Sequence, residues 1–191
     1  MRRIRAMKVL SLLLIIVMLA ITLPVIAAEN LLENPSFEEP TYSGKDPSGW
    51  WSWNSNYNGI TSKTARTGKQ AIYFTKPPDN KTQHQGIVFT YKGVKQSKEY
   101  TFSCYVKNSE KDPIKGSAYG QISIEWRKGG KEISRTWGPT WDANLSTENW
   151  KLVSMSAVAP QGVDECFFVI NFFTEGGSGA YFADDVLAVE R

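Results

Sequence analysis

The chain has 191 residues, with 22 Lys+Arg against 19 Asp+Glu, one His, two Cys and seven Trp. A hydrophobic content of 41% suits a globular core and excludes a disordered tail or a fibrous repeat. The charge excess comes from Arg2, Arg3, Arg5 and Lys8, and the rest is nearly balanced, leaving no basic stripe for nucleic acid.

The basic start is followed by an apolar run, 9–23, which Pro24 breaks and Ala27 and Ala28 close. That is the order of a secretory signal, and about 15 apolar residues fall short of the roughly 20 that span a bilayer. Cleavage after Ala27 or Ala28 would release a secreted, extracellular protein with no membrane attachment; an uncleaved anchor is the alternative. Residues 29–191 suit one domain. Cys104 and Cys166 each lie in an apolar run; in an exported protein they can pair, and buried free thiols are equally ordinary.

In chain order, the runs 71–75 and 86–91 read as short strands. The run 100–107 alternates, with Tyr100, Phe102, Cys104 and Val106 on one side. So does 121–127, with Ile122, Ile124 and Trp126 together. The runs 150–158, 165–173 and 180–190 follow. Turn-forming residues separate them, as at Pro77-Pro78-Asp79-Asn80, Gly129-Gly130 and Gly176-Gly177-Ser178-Gly179. Period-2 alternation buries one face and wets the other. Many short strands and no helical period predict an all-β sandwich or jelly roll of antiparallel sheets.

Trp126 falls in phase with the apolar side of its run and is assigned to the core. Trp51, Trp53 and Tyr57 lie in a polar stretch, and Trp137 and Trp141 in the Gly/Pro-containing segment 136–141, so these rings are expected at the surface. Asn171 puts an amide in phase with Phe167, Val169 and Phe173, and Glu125 opposes Trp126. Exposed rings beside amides and carboxylates suit the C–H faces and hydroxyls of sugars. Gln85 and His84 are further candidates. Glu125, Glu132, Asp142 and His84 have no recognisable catalytic context, so binding without catalysis is expected. Asn80-Lys81-Thr82 and Asn144-Leu145-Ser146 are glycosylation sequons.

Five segments recur in a familiar order: Asn30-Leu31-Leu32-Glu33-Asn34-Pro35-Ser36-Phe37-Glu38; Gly49-Trp50; 65–73; 99–107; and Tyr181-Phe182-Ala183-Asp184-Asp185-Val186-Leu187. Together they span nearly all of 29–191 and resemble the CenC-type carbohydrate-binding modules, families 4, 9 and 22. The resemblance implies a galactose-binding-domain-like jelly roll that binds polysaccharide, such as cellulose, xylan or β-glucan. It assigns Trp50 and Trp150 to the interior and Trp53 and Asn171 to a sugar cleft. It also implies one structural Ca²⁺ held by Ser36, Glu38, Gln70 and Asp184. Glu39 and Asp185 are expected to be solvated surface charges. Such modules are commonly appended to glycoside hydrolases; here the sequence ends just after the last strand, which predicts a stand-alone, monomeric module, serving a hydrolase or a cell-surface assembly. The alternative is a secreted structural or adhesion module that binds a protein or cell-surface partner.

Overall fold

The structure is a computed structural model and describes residues 28–39, 46–53, 57–76 and 84–191. Residues 1–27, where a secretory signal is expected, and the first sequon lie outside the described residues. Among the described residues there are twelve strands, and no helix is long and apolar enough to cross a membrane.

The strands are β1 (Trp50–Trp53), β2 (Asn58–Thr61), β3 (Ala71–Thr75), β4 (His84–Tyr91), β5 (Glu99–Asn108), β6 (Lys115–Gly116), β7 (Tyr119–Lys128), β8 (Lys131–Trp141), β9 (Lys151–Val158), β10 (Glu165–Phe173), β11 (Gly177–Ser178) and β12 (Ala180–Glu190). Sheet A runs β1-β4-β10-β7-β8, sheet B runs β2-β3-β12-β5-β9, and β6 and β11 form a short ribbon. Every pairing is antiparallel. This is the expected sandwich.

Alternation builds the core. Sheet A turns Ile87, Phe89, Ile122, Ile124, Trp126, Phe168, Ile170 and Phe172 inward; sheet B answers with Ile72, Phe74, Tyr100, Phe102, Val106 and Tyr181. Each such side chain stabilises the fold by about 1.5–3 kcal/mol. Tyr181 lies stacked on Phe74 at 4.7 Å between ring centroids and meets Phe172 edge-on at 5.1 Å. Its hydroxyl donates to the Asn171 carbonyl at 2.8 Å, tying sheet B to sheet A. Cys104 and Cys166 are both buried free thiols, one from each sheet, so the pairing alternative is not realised. Burial pushes both thiols well above their ordinary pKa.

The chain start lies along β12. Leu31 N–H donates to the Ala188 carbonyl at 2.8 Å, and Asn30 bonds Val186 and Ala188. There β12 breaks register between Asp184 and Leu187, with Asp185 left-handed at φ 46°. Such a bulge re-aims side chains, here two carboxylates, out of the regular ladder.

Candidate binding face

The outer face of sheet A is built from every second residue of its five strands. Trp51 and Trp53 of β1 lie opposite Val88 and Gly86 of β4. Asn171 and Phe173 of β10 lie between Gly86 and His84 on one side and Gln121 and Tyr119 on the other. Trp137 of β8 pairs with Ser123 of β7.

The rings form one continuous band. Trp51 meets Trp53 edge-on at 6.1 Å between ring centroids, and Trp53 meets His84 at 5.3 Å. His84 stacks on Phe173 at 4.1 Å, and Phe173 stacks on Tyr119 at 4.8 Å. Trp137 closes on Phe173 at 6.1 Å. Trp51 and Trp137 are exposed, and Trp53, His84, Tyr119 and Phe173 are half-buried. Gly86 makes room for Trp53: a Cβ there would stand 3.0 Å from the indole Cζ2.

A polar layer lies beneath the band. Asn171 is fully buried; its Nδ2 donates to the Gln121 carbonyl and to Ser123 Oγ, both at 3.1 Å. That orientation leaves Oδ1 as the acceptor at 3.0 Å from His84 Nε2, so Nε2 carries the imidazole proton. Burial lowers the His84 pKa and favours the neutral ring, against the raising effect of the Asn171 bond. Asn171 therefore lies on the sheet A face with Phe167, Val169 and Phe173, as its phase predicts, but it positions His84 and has no amide hydrogen left for a ligand.

Glu125 is 3% exposed. One carboxylate oxygen pairs with Arg127 and the other with Arg135, so the role of open sugar acceptor is corrected to a buried charge between two guanidiniums. These in turn cover aromatic faces, Arg127 over Phe167 at 4.1 Å and Arg135 over Trp137 at 4.9 Å.

Two other expectations are overturned. Trp141 is 3% exposed and packs edge-on against Tyr181 at 5.2 Å, so it belongs to the core. The segment 136–141 is not a loop but the end of edge strand β8, where proline is tolerated. Gln85 points inward between Thr75 and the core, donating its amide to the Thr75 carbonyl at 2.5 Å, and is buried. Tyr57 leads into β2, on the opposite sheet, with its carbonyl accepting Thr75 N–H at 2.9 Å. Trp50 is buried as expected; Trp150 is half-buried, with Lys107 Nζ 5.7 Å from its ring centroid. Phe173, Tyr119 and Phe167 belong to the face but were not singled out, although Phe173 and Phe167 share the alternation phase that singles out Asn171.

At the bulge, Glu38 and Asp184 both hold the segment 66–70. Asp184 Oδ2 accepts Arg66 N–H at 2.6 Å, Oδ1 accepts Asp185 N–H at 2.7 Å, and Glu38 Oε1 accepts Lys69 and Gln70 N–H at 2.9 and 2.8 Å. Burial raises the pKa of Asp184 to about 6. Asp185 is not a solvated charge: it pairs with Arg66 at 2.6 Å and accepts the Thr67 hydroxyl. Among the described residues no three His, Cys, Asp or Glu side chains converge as a metal-holding group. A calcium ion there would need backbone carbonyls beside the two carboxylates to complete its six to eight oxygens.

Residues 29–174 match the family described as carbohydrate binding domain, CBM 4 and 9. The chain belongs to that family. No curated protein matches it in sequence. The CBM22-1 xylan-binding domain of Paenibacillus barcinonensis Xyn10C is similar in structure, with a TM-score of 0.61 and 20% identity over 86% of this chain and 96% of that one. A cyclase from Fischerella sp. TAU shares the fold at a TM-score of 0.61 and 16% identity, over 86% of this chain and 98% of the other. So does the enzymatically active domain of tailspike protein 4 of bacteriophage CBA120, at a TM-score of 0.59 and 11% identity over 85% of this chain. This carbohydrate-binding domain spans 21% of that tailspike chain.

Proposed function

We propose that the protein is a secreted, non-catalytic module that binds an extended β-glycan across the outer face of sheet A. The observation that carries this reading is the unbroken aromatic band from Trp51 through Trp53, His84 and Phe173 to Trp137. Its faces suit the C–H surfaces of successive sugar rings, which a single deep pocket would not accommodate. Trp53 and Trp137 supply the stacking; Asn171 fixes His84, and Glu125 fixes Arg127 and Arg135, at the band's margin.

Among the described residues the carboxylates of this face are committed to ion pairs. The acidic side chains at one end, Glu125, Glu132 and Glu165, are engaged with Arg127 and Arg135. That supports recognition rather than bond cleavage. A structural Ca²⁺ is part of the proposal: Glu38 and Asp184, with the carbonyls of Ser36 and Gln70, would hold it and clasp the chain start to β12. Export would follow the signal-like start, and the family's polysaccharide binding suits a monomer that brings a glycoside hydrolase or cell-surface assembly to its substrate.

Affinity electrophoresis of the full chain in gels containing xylan, cellulose derivative, β-1,3-glucan or β-1,4-galactan tests this reading. Retardation by at least one gel, lost in Trp137→Ala, is expected. No retardation in any, or release of reducing sugar from them, would overturn it.

A further inference from the structure

The opposite side of the sandwich carries a concavity of about 870 Å³ on the outer face of sheet B. Its floor is made by Tyr73 of β3 and Phe182 of β12, which are direct cross-strand partners and are both half-buried. Outward positions in the middle of an antiparallel sheet are ordinarily polar. Two neighbouring aromatic side chains there offer the kind of apolar bed that the C–H face of a sugar takes, with the Thr75 hydroxyl beside it.

The charges differ from those of sheet A. Lys63, Lys107 and Lys111 line the concavity against one carboxylate, Glu110. The Lys107 side chain is 12% exposed, yet among the described residues its ammonium meets only Glu110 at 3.9 Å and the Trp150 ring at 5.7 Å. Glu110 is 71% exposed, so solvent screens that pair. An ammonium on a mostly covered stem, with no short ion pair, favours an incoming anion that can accept its hydrogen bonds.

We propose that this concavity is a second glycan site that takes an acidic sugar. The ring rests on Tyr73 and Phe182, and a uronate carboxylate reaches Lys107, with Lys63 and Lys111 adding attraction. The site is independent of the sheet A band and stands or falls separately from it.

The test is calorimetric titration of the full chain with an oligogalacturonate of fixed length and with its methyl ester, which keeps the skeleton and removes the charge. The acid is expected to bind about tenfold or more tightly than the ester, as expected of a charge-assisted hydrogen bond. Lys107→Met and Phe182→Ala are each expected to weaken acid binding about tenfold, and Trp137→Ala, on the other face, to leave it intact. Equal binding of acid and ester, no binding of the acid, or a loss that follows Trp137→Ala and not Lys107→Met would each overturn the proposal. Should Phe182→Ala fail to fold, Lys63→Met, an exposed change, and Lys107→Met, which keeps the apolar stem of a mostly covered side chain, decide it.

Discussion

Trp137 and Trp141 stand four residues apart on β8 and face opposite sides of sheet A, one in the aromatic band and the other against Tyr181. Residues four apart on a regular strand share a face. Here the register slips between Gln121 and Ser123 of β7, where β8 carries Gly138 and Pro139 against a single residue. One extra residue reverses the phase of everything beyond it. The bulge therefore decides which indole is offered to a ligand and which fills the core.

The two tryptophans should respond oppositely to truncation. Trp141→Ala empties a core position and is expected to cost about 3–5 kcal/mol of stability. Trp137, 49% exposed, should cost less than about 1 kcal/mol on truncation while weakening glycan binding about tenfold. Urea unfolding and affinity electrophoresis on both variants measure the contrast. A stable Trp141→Ala protein would show that the bulge does not bury that ring.

Asn171 offers a second test, because its amide is saturated. Asn171→Ala removes the amide whose hydrogens Ser123 Oγ and the Gln121 carbonyl accept inside the sheet. Leaving such groups unsatisfied costs about 1–3 kcal/mol, visible as a lower urea midpoint. Glycan affinity should fall with it, since His84 stacks on Phe173 and meets Trp53. An unchanged midpoint would mean the amide is not held as described.

Much of this was legible in the sequence. The period-2 runs gave strands β3, β10 and β12 at their observed limits, and the phases of Asn171 and Glu125 put both on the outer face of sheet A. What could not be read was non-local. Whether Trp141 is buried depends on the bulge against β7 and on Gly120, its cross-strand partner, which leaves space for the indole. Whether Glu125 is open depends on Arg135, ten residues away on the neighbouring strand. Gln85 is inward by its phase with Ile87 and Phe89, a signal present in the sequence and outweighed by its polarity.

The calcium proposed at the Asp184 bulge would make metal binding and pH interdependent. Burial lifts this carboxyl from 3.8 to about 6 in the folded chain. A raised folded pKa means that the group's contribution to stability is full below about pH 4 and is lost as pH rises through about 6. In chelator, wild type should therefore lose stability relative to Asp184→Asn between pH 4 and 7. Calcium at neutral pH should restore it and raise the melting temperature, because a bound cation stabilises only the folded state. Melting curves with and without EDTA at pH 7 check this; superimposable curves would remove calcium from the proposal.

Glu125 is the sharpest case of a residue whose type suggested ligand contact and whose surroundings dictate otherwise. Its carboxylate lies between Arg127 and Arg135, and those guanidiniums reach outward to Glu165 and Glu132. Removing the central anion leaves two largely buried cations facing each other. Breaking a buried pair from one side costs about 3–5 kcal/mol, most of it from the charge left behind. Both arginines also cover rings of the binding face, Phe167 and Trp137. Glu125→Ala should accordingly lower the urea midpoint and also weaken glycan binding, whereas Glu132→Ala, whose side chain is 42% exposed, should change stability by less than about 1 kcal/mol. If Glu125→Ala loses affinity with an unaltered midpoint, Glu125 touches the sugar itself and the clamp does not exist as described.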